Sequence, residues 1–189
     1  MCVCEENMKI AQKVLDFPLV FLYHVPNRER KDMKAIYFDM DGTIYDLYGV
    51  RDWLSRLQNE DVTAYTEGEP LYDMFNLNSL LEDFNALGVV IGVITWTAKD
   101  GSREYNKKVR RAKLDWVRQN LPCVTEFHCV KYGTPKHQVC THKNSILVDD
   151  NAKVRAAWKC GETVDATQNI EIVLKKLLTA LIKDDTMCA

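Results

Sequence analysis

Four aspartates and a threonine stand where short apolar runs end. Asp39 and Asp41 follow Ala35 to Phe38, Thr95 follows Val89 to Ile94, and Asp149 with Asp150 follows Ser145 to Val148. Carboxylates gathered without partners repel one another, so two such clusters require a cation, and hard oxygen ligands suit Mg²⁺ better than zinc. Mg²⁺ commonly takes one or two carboxylates, keeps several waters and completes its shell with phosphate oxygens, which makes a phosphorylated molecule the expected ligand. The chemistry that follows is phosphoryl transfer. One carboxylate can attack phosphorus and form an aspartyl-phosphate, while a second, two residues on, protonates the leaving oxygen and then activates water. Asp39 is the expected nucleophile and Asp41 the expected acid and base.

The transferred group also needs donors and fixed positive charge around its oxygens. Thr95 offers the hydroxyl. Lys131, Lys136 and Lys143 are the candidate cations. Lys136 is preferred because Gly133-Thr134-Pro135 reads as a turn opening a helix, whose N-terminus favours anions, and Lys143 comes second. Each residue has a plainer role available: Thr95 can end a strand, Lys136 can cap a turn, and Asp150 can bond backbone N–H groups of the next helix. Their occurrence together, in one order, is what points to chemistry.

These residues need a scaffold that brings strand ends together. Ala35 to Phe38 and Val89 to Ile94 read as the first two strands, with a helix carrying Leu77, Leu80, Leu81 and Phe84 between them and a stop at Gly88. From Ser102 to Leu121, Val109, Ala112, Trp116 and Val117 form one helical face, and Lys107, Lys108, Arg110, Arg111 and Lys113 are assigned to the others. Val124 to Val130, Ser145 to Val148 and Thr163 to Asp165 supply three more strands, and Ile170 to Leu181 a closing amphipathic helix. Alternating strands and helices predict an α/β, doubly wound (Rossmann-like) parallel sheet with helices on both faces, in which ligands gather at the carboxyl ends of the strands.

Asp39-Met40-Asp41-Gly42-Thr43, Thr95, a lysine and Asp149-Asp150 resemble, in this order over about residues 34 to 168, the four motifs of the haloacid dehalogenase superfamily. The resemblance implies a HAD-like core and a phosphohydrolase, since aspartate at position 41 is found in phosphatases and phosphotransferases and is lacking in dehalogenases. It further implies Mg²⁺ bound by the Asp39 carboxylate, the Asp41 backbone carbonyl and one of Asp149 and Asp150, with Asp149 the first choice. Lys113-Leu114-Asp115-Trp116-Val117, Thr134-Pro135-Lys136 and Ile146 to Asp150 are also similar to the 5′(3′)-deoxyribonucleotidase branch, although Trp96 after Thr95 departs from it.

About 45 residues separate Thr43 from the second strand, more than one helix requires. The expected organisation is an N-terminal extension over 1–32, a catalytic core over 33–45 and 77–189, and a small cap insertion over 46–76. Tyr45, Tyr48, Trp53, Tyr65, Tyr72 and Phe75 in and beside the cap could stack a base or sugar, but aromatic residues in a small insertion more often form its core. Lys107, Lys108, Arg110 and Arg111 could hold polynucleotide phosphates; a solvated helix face is the favoured account.

The chain has 189 residues, 25 Lys and Arg against 27 Asp and Glu, and 47% hydrophobic residues. That is enough for one domain with an insertion, and the net charge of −2 gives no field to recruit nucleic acid or an anionic membrane. No apolar run is long enough to span a bilayer, and Met1 to Lys9 is acidic, so a cytoplasmic protein is expected. Seven cysteines, an odd number, read as free thiols in a reducing compartment. His128, Cys129, His137, Cys140 and His142 could each ligate zinc, but their spacing matches no standard knuckle pair. The leading expectation is a Mg²⁺-dependent phosphatase acting on a small phosphomonoester, with a nucleoside monophosphate favoured. A phosphatase of polynucleotide ends and a non-catalytic binding module on the same fold are the alternatives.

Overall fold

The computed structural model describes residues 33–186. The N-terminal extension expected over 1–32 lies outside the described residues. Five strands, β1 (Ala35–Phe38), β2 (Val90–Trp96), β3 (Glu126–Val130), β4 (Ser145–Asp149) and β5 (Gly161–Asp165), form one sheet in the order β3-β2-β1-β4-β5. Every pairing is parallel. Among the described residues the α-helices are α1 (Trp53–Gln58), α2 (Met74–Ala86), α3 (Arg103–Asn120), α4 (Ala152–Ala156) and α5 (Ile170–Thr186).

The strand pattern explains the layers. In β1, Ile36 and Phe38 join Ile91, Val93, Ile146 and Val148 in a large core shared with α2, α3 and α5. Ala35 and Tyr37 join Ile94, Leu147 and Trp158 in a smaller cluster. Residues of opposite parity face opposite ways along a strand, so the sheet is apolar on both sides, as a buried parallel sheet requires. The two sides are covered unequally. Three long helices supply the first, while Val154 of the five-residue α4, Val139, Trp158 and flanking loop residues cover the second.

The starts of α2 and α3 are capped by side chains. Asp73 caps α2 by accepting from the N–H groups of Phe75 and Asn76, and Ser102 caps α3 by accepting from Tyr105 N–H. Two expectations need correction. β2 continues through Trp96, so Thr95 lies within the strand, paired with Cys129, and not beyond its end. Lys136 does not open a helix: Lys136–Gln138 is a single 3₁₀ turn without a side-chain cap, too short to present a helix N-terminus to an anion.

The connection after β1 leaves the core and returns beside its own start. Tyr45 bridges to Asp41 and to Pro70, and Asp46 N–H donates to Glu69 O at 2.9 Å. The excursion between holds α1 and a 3₁₀ turn over Val62–Tyr65, packed against α3. Residues 74–76, expected in the cap, form the first turn of α2.

Candidate active site

β1 and β4 are neighbours, and the chain departs from them in opposite directions, toward β2 and toward β5. That switch in direction opens a crevice beyond their carboxyl ends. Asp39 sits in it, held in register by donating its backbone N–H to Val148 O at 2.8 Å. Lys136 Nζ lies 2.5 Å from Asp39 Oδ1 and 2.6 Å from Asp149 Oδ2, joining the two strand ends. Burial works against the Lys136 charge, but the two carboxylates outweigh it and raise the lysine's pKa. Asp149 is almost fully buried; burial first, and then the Asp39 charge, push its pKa up to about 6 against the pull of Lys136.

Asp150 lies beside this pair. Its N–H donates to Thr43 Oγ1 at 3.1 Å, and burial followed by the charge of Asp39 raises its pKa. It does not cap the next helix; Asn151 does, accepting from Lys153 and Val154. Oxygens of Asp39, Asp149 and Asp150 lie within 4.8 Å of one another, a hard, all-oxygen donor set whose mutual repulsion a divalent cation would relieve. The residues therefore fit Mg²⁺. Gly42 is required beside them: its φ is +77°, and a Cβ there would come 2.5 Å from the Tyr48 ring and 2.9 Å from Asp150 Oδ2.

Asp41 stands apart from that group. Its Oδ2 accepts from Lys113 Nζ at 2.5 Å, and the same ammonium donates to Thr95 Oγ1 at 3.0 Å and to Trp96 O at 2.8 Å. The Tyr65 ring lies 4.8 Å from Lys113 Nζ. Asp41 Oδ1 is buried and finds no hydrogen-bond partner among the described residues, although 20% of the side chain remains exposed. Burial raises the Asp41 pKa, Lys113 opposes the rise and Asp39 adds to it; the net direction is upward.

Lys113 is the residue the sequence reading misplaced. The run of basic residues places it on a charged face of α3, yet it is fully buried. Tyr105, Val109, Lys113, Trp116 and Val117 follow one another at intervals that put them on one helical face, and all five are buried. A lysine on an apolar stripe is the available signal, since a buried ammonium demands a carboxylate partner. Three of the exposed basic residues of the helix are occupied locally: Lys107 pairs with Glu104, Arg111 with Asp115, and Arg110 donates to Cys129 O. Lys143 is exposed on the loop before β4.

The cavity over Asp39, Asp41, Lys136, Asp149 and Asp150 has a volume of ≈ 330 Å³. Leu47, Tyr48, Trp53, Leu54, Leu57 and Tyr65 of the excursion line one side, and Trp96 to Lys99 with Tyr132 line another. The expected cap aromatics divide accordingly. Tyr45 and Tyr65 are buried, and Tyr72 donates to Ala166 O. Tyr48 and Trp53 border the cavity, and Phe75 is exposed on α2.

The suggested zinc residues form no such group among the described residues, where the three aspartates alone cluster as ligands. His142 Nε2 is engaged by Glu126 Oε1 at 2.9 Å, and Cys140 donates to His142 O. Cys123, Cys129, Cys140 and Cys160 are free thiols. No described helix is long and apolar enough to cross a membrane.

No protein-family profile matches the chain, and no curated protein sequence does. Among solved structures, it aligns with the crystal structure of 3-deoxy-D-manno-octulosonate 8-phosphate phosphatase from Moraxella catarrhalis in complex with magnesium ion, phosphate ion and KDO. The alignment has 13% identity and a TM-score of 0.47, and covers 86% of this chain and 95% of that one. A likeness of that size assigns neither activity nor substrate.

Proposed function

We propose that this protein is a Mg²⁺-dependent phosphatase of the haloacid dehalogenase type that hydrolyses a small phosphomonoester, a nucleoside monophosphate being favoured. The carrying observation is the division of labour between two lysines: Lys136 ties Asp39 to Asp149 within the three-carboxylate group, while Lys113 pairs with Asp41, two residues on and outside that group.

Asp39 attacks phosphorus, forming an aspartyl-phosphate as the bond to the leaving oxygen breaks. Asp41, its pKa raised, gives that oxygen a proton. The Asp41 carboxylate then takes a proton from water as it attacks the aspartyl-phosphate, which releases phosphate and restores Asp39. Lys136 offsets charge on the transferred group. Thr95 accepts from Lys113, so its own O–H is free to donate to a phosphate oxygen. Mg²⁺, held by Asp39, Asp149, Asp150 and, by the motif resemblance, the Asp41 backbone carbonyl, would neutralise phosphate charge when bound. In this reading residues 46–76 act as the cap, 33–45 with 77–189 as the catalytic core and 1–32 as an extension, and the free thiols suit the cytoplasm.

The test is phosphate release from nucleoside monophosphates, sugar phosphates and an aryl phosphate, with and without Mg²⁺, beside the Asp39→Asn protein. Metal-dependent turnover that the substitution abolishes is expected. Measurable Mg²⁺ binding without turnover on any member would overturn the reading.

A further inference from the structure

We infer that Trp96 and Tyr132 form a stacking wall that selects ligands presenting a flat π-face next to their phosphate, with Tyr48 and Trp53 bordering the same cavity. The wall lies directly beside the reacting groups. Trp96 follows Thr95, its Nε1 donates to Thr134 O at 2.8 Å, and Lys136 Nζ lies 5.4 Å from its ring centroid. The indole is therefore fixed in place. Tyr132 packs on it with ring centroids 5.1 Å apart at 58°, yet 47% of Tyr132 stays exposed.

The second pair is built alike. Tyr48 and Trp53 pack edge to face with centroids 5.1 Å apart, and Tyr48 is 53% exposed while its ring covers the Gly42 turn next to Asp150. Both pairs line the one cavity that holds Asp39, Asp41 and Lys136. Large aromatic residues serving only as packing would be covered; here each pair leaves a tyrosine open to the cavity or its mouth, where an apolar planar group gains contact area. A base stacked on such a side chain is stabilised enough that its loss weakens binding about tenfold to a hundredfold.

As a statement about substrate choice the inference rests on the phosphatase reading, so the test separates binding from turnover. Adenosine 5′-monophosphate and ribose 5-phosphate share the phosphate and the sugar and differ in the base. Each is titrated calorimetrically, with Ca²⁺ in place of Mg²⁺, into the wild type, Trp96→Leu and Tyr132→Ala. The second variant removes a half-exposed side chain and is the safer for folding, which circular dichroism checks. Wild-type protein is expected to bind the nucleotide at least about tenfold tighter than the sugar phosphate, and both variants to bring that ratio toward one. A ratio unchanged in folded variants, a wild-type ratio near one, or no binding of either ligand would overturn the wall. If the ratio behaves as expected but Mg²⁺ elicits no phosphate release from either compound, the phosphatase reading fails and the wall stands.

Discussion

Lys113 Nζ lies 2.5 Å from Asp41 Oδ2 with none of the lysine side chain exposed. The pair ties the middle of α3 to the loop after β1 and sets the environment of the proposed acid and base.

Breaking one side of a buried pair leaves the other charge without compensation, at a cost of about 3–5 kcal/mol. Lys113→Met should therefore lower the urea unfolding free energy by about that amount. Adding Asp41→Asn should restore part of the loss, because the orphaned carboxylate is then gone. A double variant no more stable than the single one would show that the pair is not coupled.

Asp41→Asn should slow phosphate release by about 10²–10⁴-fold, the usual contribution of a positioned acid and base. Mass spectrometry of acid-quenched Asp41→Asn protein after mixing with substrate should show one added phosphoryl group, and Asp39→Asn should show none. Equal labelling in both would exclude Asp39 as nucleophile.

Lys136 touches Asp39 and Asp149, whereas Lys143 is exposed on a loop. Lys136→Ala should reduce kcat/KM by about a hundredfold or more, consistent with loss of a preorganised charge. Lys143→Ala should stay within about twofold of wild type, as an exposed charge contributes little. Equal losses would exclude the assignment of Lys136.

The carboxylate group also sets a pH dependence. Burial and the Asp39 charge hold Asp149 at a pKa of about 6, above the ordinary 3.8, so the folded state holds more protons between those values. Stability without divalent cation should therefore fall as pH rises from about 4 to about 6, by roughly 1–3 kcal/mol. Glu126 works in the other direction but lower, from 4.5 to about 2, and does not mask that window. Urea midpoints from pH 4.5 to 7 in a chelator should show the decline, while Asp149→Asn or saturating Mg²⁺ should lessen it, the raised Asp41 and Asp150 supplying the remainder. A wild-type profile that stays flat in chelator would reject the raised Asp149 pKa.

Much of the scaffold was legible locally. β1 has the expected bounds, and the alternation of strands and helices foretold a parallel sheet covered on both faces. Asp39, Asp149 and Asp150 were readable as candidates because strand ends of a parallel sheet converge, and the structure brings them together. The Thr95 boundary was misread because a threonine and a tryptophan extend a strand as readily as they end one. Lys136 was selected for a helix that is a single 3₁₀ turn; its contacts come from the crossing between β3 and β4.

By itself the sequence determined the alternation of strands and helices, the apolar faces and the order of acidic residues, since each depends on neighbours a few positions apart. Only the tertiary structure decided which lysine meets which carboxylate, and that Trp96 and Tyr132 share a wall. Those contacts join residues 72, 97 and 36 positions apart. The physical reason is that a buried charge or ring takes its partner from whatever the folded sheet places beside it, and local periodicity holds no record of that.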